Sequence, residues 1–166
     1  MLMDQARSSV RIRMAVAQDA SSIASVLRES FLEYEPLYTQ AGFNATTPVT
    51  DQVLDRIEEG PVWVVLDNDA IIGTVSVVPK EESLYVRGMA IVPAARGRKI
   101  GELLLRQVES FAAERGFKRL LLSTTPFLER AIQLYERYGF NRSSGGPDNL
   151  FGTPLFSMEK ILESPD

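Results

Sequence analysis

Cysteine and histidine are both missing from the 166-residue sequence. Without them a Ser-His-Asp or Cys-His triad, a thiol-acyl intermediate and a zinc site of imidazole or thiolate ligands are excluded. No disulfide can form either, so packing must hold the fold, as suits a reducing compartment. An excess of positive charge is also lacking: 18 Lys and Arg stand against 22 Asp and Glu, a formal net charge of -4. That balance argues against a nucleic-acid partner, whose binding needs a concentrated basic surface. No run approaches the ~18 apolar residues of a membrane span. The first ten residues, with Asp4, Gln5, Ser8 and Ser9, lack the apolar core of a signal peptide. A cytoplasmic protein with no membrane partner is expected. Chemistry is left to Tyr, Ser, Thr, Asp, Glu, Lys, Arg, backbone groups or a bound cofactor.

With 45% of its residues hydrophobic and no internal repeat, the chain reads as one domain over 1–166, with 1–9 a flexible tail. Alternating apolar and basic residues make 10–16 a strand. Asp19 then stands as N-cap to a helix whose Ile23, Val26, Leu27, Phe31 and Tyr34 recur at helical spacing. Pro36, Gly42 and Pro48 interrupt 35–50, read as a loop or irregular helical piece carrying substrate-recognition residues. A short helix from about Asp51, capped by Thr50, buries Val53, Leu54 and Ile57 and ends at Gly60-Pro61. Strands 62–66 and 71–78 form a hairpin about Asp67-Asn68-Asp69, and 83–92 is a further strand. Beyond Pro93, helix and strand alternate: a helix over 99–115, a buried strand over 118–123 and a helix over 127–138. Strands over 140–144 and 155–160 follow, separated by the loop 145–149. The pattern is α/β (α+β), with helices packed on a sheet.

The most informative stretch is a strand, then Val92-Pro93-Ala94-Ala95, then Arg96-Gly97-Arg98-Lys99-Ile100-Gly101, then an amphipathic helix. A glycine-rich, basic turn that opens a helix directs unpaired backbone N–H groups and the positive end of the helix dipole at one point. Each hydrogen bond to a charged acceptor contributes ~1.5–3 kcal/mol, so three or four convergent donors could dominate the binding of a diphosphate. Arg96, Arg98 and Lys99 would supplement them. From the hexapeptide alone, an ordinary loop entering a helix is an equally good reading.

The block from Met89 to Leu104, Met-Ala-Ile-Val-Pro-Ala-Ala-Arg-Gly-Arg-Lys-Ile-Gly-Glu-Leu-Leu, is followed downstream by Ala131-Ile132-Gln133-Leu134-Tyr135-Glu136-Arg137-Tyr138-Gly139-Phe140. Together, in this order and spacing, they closely resemble the GNAT superfamily of acyl-CoA-dependent N-acetyltransferases. The first resembles that family's Arg/Gln-x-x-Gly-x-Gly/Ala coenzyme motif and the second its Leu-Tyr-x-x-x-Gly-Phe motif. The resemblance implies a mixed sheet of about six to seven strands, splayed in the middle and flanked by about four helices. The thioester arm of acetyl-CoA would lie between the strand ending near Val92 and the strand 118–123. It further implies that amides of Gly97, Arg98, Lys99, Ile100, Gly101 and Glu102 cradle the pyrophosphate, with Arg96 beside them. The pantetheine arm would pair with the main chain of Met89, Ala90 and Ile91. Gly88 fits a bulge in that strand, or is a weak spot in an ordinary one. Two positions depart from the pattern. Lys99 replaces the motif's middle glycine, so its backbone must tolerate a side chain that points outward. Leu128 replaces an asparagine that contacts the coenzyme in many members, and that contact is lost.

The resemblance makes Tyr135 the general acid that protonates, or hydrogen-bonds, the departing coenzyme A thiolate. With pKa values of ~10 for a phenol and ~8.5 for a thiol, full transfer is uphill by about 2 kcal/mol, so both modes stay open. Taken only as a helix residue beside Leu128, Ala131 and Tyr138, it reads as core. Glu33, Glu35, Glu81 and Glu82 are candidate bases, and Ser123 and Thr124 candidate substrate contacts. The expected function is acetyl transfer from acetyl-CoA to a primary amine by direct attack, with no metal. The alternative is a non-catalytic acyl-CoA-binding regulatory module on the same fold. A nucleotide site is disfavoured, since neither Gly-x-x-x-x-Gly-Lys-Ser/Thr nor Gly-x-Gly-x-x-Gly follows a strand. The acceptor is not identified, although Glu35 and Asp148 point toward a cationic amine. Many family members dimerise, which makes a homodimer an expectation.

Overall fold

The structure is a computed structural model and describes residues 9–163. The flexible tail expected over 1–9 therefore falls outside the described residues except at Ser9. Ser9 Oγ donates to Asp67 at 2.8 Å and its carbonyl accepts from Asn68 N at 3.1 Å.

Among the described residues seven strands form one mixed sheet in the order β1-β2-β3-β4-β5-β9-β6. These are β1 (Val10–Met14), β2 (Val62–Asp67), β3 (Ala70–Lys80), β4 (Ser83–Ile91), β5 (Arg119–Thr124), β6 (Asn141–Ser143) and β9 (Phe156–Ile161). A separate hairpin pairs β7 (Asn149–Leu150) with β8 (Thr153–Pro154) between the two strands expected over 140–144 and 155–160. Five α-helices accompany them: α1 (Ala20–Phe31), α2 (Gln40–Thr46), α3 (Thr50–Glu59), α4 (Ile100–Glu114) and α5 (Glu129–Arg137). The fifth helix beyond the expected four is α2, which lies in the segment whose apolar spacing is irregular.

β2 is apolar up to its closing Asp67, and Val62 through Leu66 are all buried because helices cover both faces of the sheet. On one face a Cβ at Gly73 would meet Ile100 and Leu104 of α4; on the other a Cβ at Gly88 would meet Leu27 of α1 and Arg56 of α3. α4 buries Leu104, Leu105 and Val108 completely, each worth ~1.5–3 kcal/mol of burial.

Two helix starts differ from expectation. The Asp19 carboxylate does not cap α1; it takes two hydrogen bonds from Arg13 at 2.8 and 3.1 Å and one from Val16 N at 2.8 Å, and so fixes the turn that precedes the helix. Thr50 is already inside α3, whose start is held instead by Gln52 Oε1 accepting from Val49 N at 3.0 Å.

The parallel pairing of β4 with β5 covers only Ser83 to Tyr85 against Arg119 to Leu121. Beyond it the strands part, and residues 86–91 have no strand partner on that edge among the described residues. β4 also bulges there, with Gly88 (φ 68°) and Met89 standing opposite the single residue Val75 of β3. No described helix is long and apolar enough to cross a membrane.

Candidate active site

The chain leaves β4 through a 3-10 turn, Pro93–Ala95, and enters α4 by way of Gly97 (φ 83°) and Lys99 (φ 62°, ψ 27°). A Cβ at Gly97 would meet nothing within 4 Å, so its dihedral, not space, calls for glycine. At Gly101 the need is space, because a Cβ would stand 2.5 Å from Leu134 Cδ2 and 3.3 Å from Ile91 Cδ1. The first α4 amide with a partner in the helix is Leu103 N, 3.2 Å from Lys99 O. The backbone N–H groups of 97–102 have no acceptor in hydrogen-bonding geometry among the described residues. Unpaired donors at the positive end of a fifteen-residue helix are an arrangement that suits an anion.

These amides stand at the mouth of a cleft of about 710 Å³ that opens where β4 and β5 part and passes through the sheet. Its walls are β4 and β5, the end of α1 with the following 3-10 segment Leu32–Leu37, Ala45 and Thr46 of α2, Arg56 of α3, the start of α4 and the length of α5. Every coenzyme-binding residue expected from the sequence lines it except Arg98. That guanidinium turns away to Asp67 at the end of β2, with Nη1 3.0 Å from Oδ2. Arg96 lies at the mouth but is also engaged, donating to Glu33 and reaching Ser30 O at 3.5 Å. Lys99 is exposed and lines the cleft. Leu128 lines the cleft where the family motif would have an amide side chain.

Tyr135 sits on α5 facing the cleft, 8% exposed, with its ring 5.7 Å from that of Phe140. Burial pushes its phenol up to about 12, reinforced by the neighbouring Tyr38 and Tyr85. At neutral pH it holds its proton firmly. None of Glu33, Glu35, Glu81 or Glu82 lines the cleft; Glu33 is committed to Arg96, and Glu82 pairs with Lys118 at 3.3 Å. Ser123 and Thr124 do line it, and their hydroxyls are buried with no hydrogen-bond partner among the described residues. Sequence reading passed over Arg56, Arg87, Tyr38 and Tyr85, all on the cleft wall. Arg87, in a strand otherwise apolar around it, was the one visible signal.

The acetyltransferase (GNAT) family model matches residues 23–140, the span holding both the cleft mouth and Tyr135. The chain belongs to that family. It is an acyltransferase by this membership. Over 136 residues it is 32% identical to the N-acetyltransferase YjgM of Escherichia coli (strain K12), itself uncharacterized, spanning 78% of this chain and 80% of that one. The fold matches the PaiA N-acetyltransferase of Thermoplasma acidophilum, solved in complex with coenzyme A, with a TM-score of 0.80 at 19% identity, covering 93% and 99% of the two chains. It likewise matches YncA of Salmonella typhimurium, solved with its cofactor acetyl-CoA, with a TM-score of 0.72 at 22% identity over 93% and 95%. The splayed sheet of this GNAT member thus agrees with the architecture implied by its two motifs.

Proposed function

We propose that this GNAT member transfers an acetyl group from acetyl-CoA to a primary amine by direct attack, with Tyr135 serving the departing thiolate. The observation that carries the reading is the run of unpartnered amides over 97–102 at the mouth of a cleft whose wall holds a buried, protonated tyrosine. Those amides suit the diphosphate of a coenzyme A ester, with Lys99 and Arg96 adding charge. Arg98 would join them only by releasing Asp67. The unpaired edge of β4 at Met89, Ala90 and Ile91 offers main-chain donors and acceptors to the amide groups of a pantetheine arm, much as it would to another strand. Coenzyme A and acetyl-CoA in the two fold neighbours support this choice of donor.

In the reaction the amine nitrogen attacks the thioester carbonyl carbon, the new C–N bond forms and the C–S bond breaks. Sulfur leaves as thiolate while the acylated nitrogen loses a proton to water in the open cleft. Against a thiol of pKa ~8.5, a phenol raised to about 12 makes complete proton transfer uphill by about 5 kcal/mol. Tyr135 therefore acts by donating a hydrogen bond to the sulfur as charge develops there and retains its proton. With none of the candidate glutamates on the cleft, the acceptor enters as the neutral amine.

The test is coenzyme A release over a panel of amines. For Tyr135→Phe, kcat should fall about 100-fold or more, while the KM for acetyl-CoA stays within about threefold. Binding of acetyl-CoA without release from any amine would overturn the reading in favour of a regulatory module.

A further inference from the structure

The cleft wall on the α1 and α3 face carries two guanidinium groups that the donor does not require. Arg87 lies on β4, two residues beyond the last pair with β5, and Arg56 reaches the same strand from α3. Arg56 Nη1 stands 2.8 Å from the position a Cβ would take at Gly88, so the absent side chain is what admits it. Both arginines line the cleft. Arg87 donates to Glu59 at 3.1 Å through Nη1, yet its Nε and Nη2 are buried with no partner among the described residues. Among the described residues no carboxylate stands within ion-pair distance of Arg56. Loss of solvent and the neighbouring Arg87 push its pKa down to about 10. Two cations thus share one carboxylate, that of Glu59, which is itself half exposed.

This charge lies away from the amide turn. From Arg87 to the end of β4 at Ile91 is ~13 Å of strand, and the arginines meet the sheet on the face opposite α4. A diphosphate held at 97–102 would leave the two arginines with the single carboxylate of Glu59 between them. The free Nε and Nη2 of Arg87 form the side edge of the guanidinium, whose two parallel N–H groups match the two oxygens of a carboxylate.

We propose that Arg56 and Arg87 form the acceptor subsite and that the amine substrate carries a carboxylate which they bind. The inference rests on the acetyl-transfer reading above and names its acceptor class. It reverses the expectation from Glu35 and Asp148, neither of which lines the cleft.

The experiment compares amino acids with their carboxamides as acceptors at saturating acetyl-CoA, following coenzyme A release. A carboxamide lowers the pKa of its amine and makes more of it neutral, so without recognition the amide is the better acceptor. The expected result is a kcat/KM at least about tenfold higher for the carboxylate members, the scale of one charge-assisted hydrogen bond. Arg87→Gln and Arg56→Gln should each raise the acceptor KM by about tenfold or more and erase the preference. The KM for acetyl-CoA should stay within about threefold. Should either variant fail to fold, the wild-type preference decides alone. Equal use of the amides, or no acetylation of any carboxylate-bearing amine, overturns the inference. Calorimetric titration with acetyl-CoA alone separates the two failures: donor binding with turnover of uncharged amines sinks only the acceptor class, whereas no binding sinks the acetyl-transfer reading as well.

Discussion

Lys99 holds a left-handed backbone, φ 62° and ψ 27°, with a full side chain attached. The conformation is the one glycine takes without penalty, and for other residues it costs ~1–2 kcal/mol. The turn geometry has therefore been kept although the glycine has not. Lys99→Gly should relieve the strain, offset by ~0.4–1 kcal/mol of added freedom in the unfolded chain. A net stabilisation of up to about 1 kcal/mol is expected, read from the midpoint of urea denaturation at constant slope. Tyr135 gives a second prediction at this scale. Its folded pKa of about 12 lies above the unfolded value of ~10, so its contribution to stability is complete below pH ~10 and is lost as pH rises toward 12. Wild-type Tm should fall across that window more steeply than the Tm of Tyr135→Phe, by a difference equivalent to about 3 kcal/mol. Both residues were visible in the sequence, because each occupies a fixed place in a contiguous motif. The strain at Lys99 and the pKa of Tyr135 were not, since one is a dihedral and the other depends on neighbours far away in the chain.

At the scale of elements, α2 shows why some pieces escape a reading by periodicity. It spans only seven residues, and its start is secured from the far end of the chain. Thr39 Oγ1 accepts from Gly42 N at 3.0 Å and donates to Phe151 O at 2.9 Å, while Thr39 N donates to Thr153 Oγ1 at 2.9 Å. A Cβ on Gly42 would come 2.4 Å from Thr153 Oγ1, so the helix and the β7–β8 hairpin are in close contact. One threonine thus caps the helix and fastens it to the hairpin. Thr39→Ala should cost about 1–2 kcal/mol by denaturant unfolding. It should also raise the acceptor KM more than the donor KM, because Ala45 and Thr46 of α2 line the cleft. By contrast α4, with buried residues recurring at helical spacing from Ile100 to Ala112, is readable without any partner.

For the whole molecule the decisive event is that β4 and β5 stop pairing after Tyr85 and Leu121. The resulting cleft replaces a part of the core that closed pairing would have filled, and the free strand edge and free amides lose hydrogen bonds that a ligand can restore. Binding should therefore stabilise the entire fold. At acetyl-CoA a hundredfold above its Kd, the gain is about 2.7 kcal/mol. In a domain of this size that is a rise in Tm of about 5–10 °C. Differential scanning fluorimetry measures it, with ATP and NAD as controls expected to shift the protein much less.

The amide turn and the tyrosine were determined by sequence alone, because their parts are neighbours in the chain or on one helix face, where spacing is geometry. So were the exclusions that follow from lacking cysteine and histidine, which no folding can supply. Tertiary structure decided the rest. It drew Arg98 to Asp67 and away from the cleft, paired Glu33 with Arg96, and brought Arg56 beside Gly88, next to Arg87. Each of these outcomes brings together residues at least 31 positions apart, and such distances are set by strand register and helix packing, which local pattern does not encode.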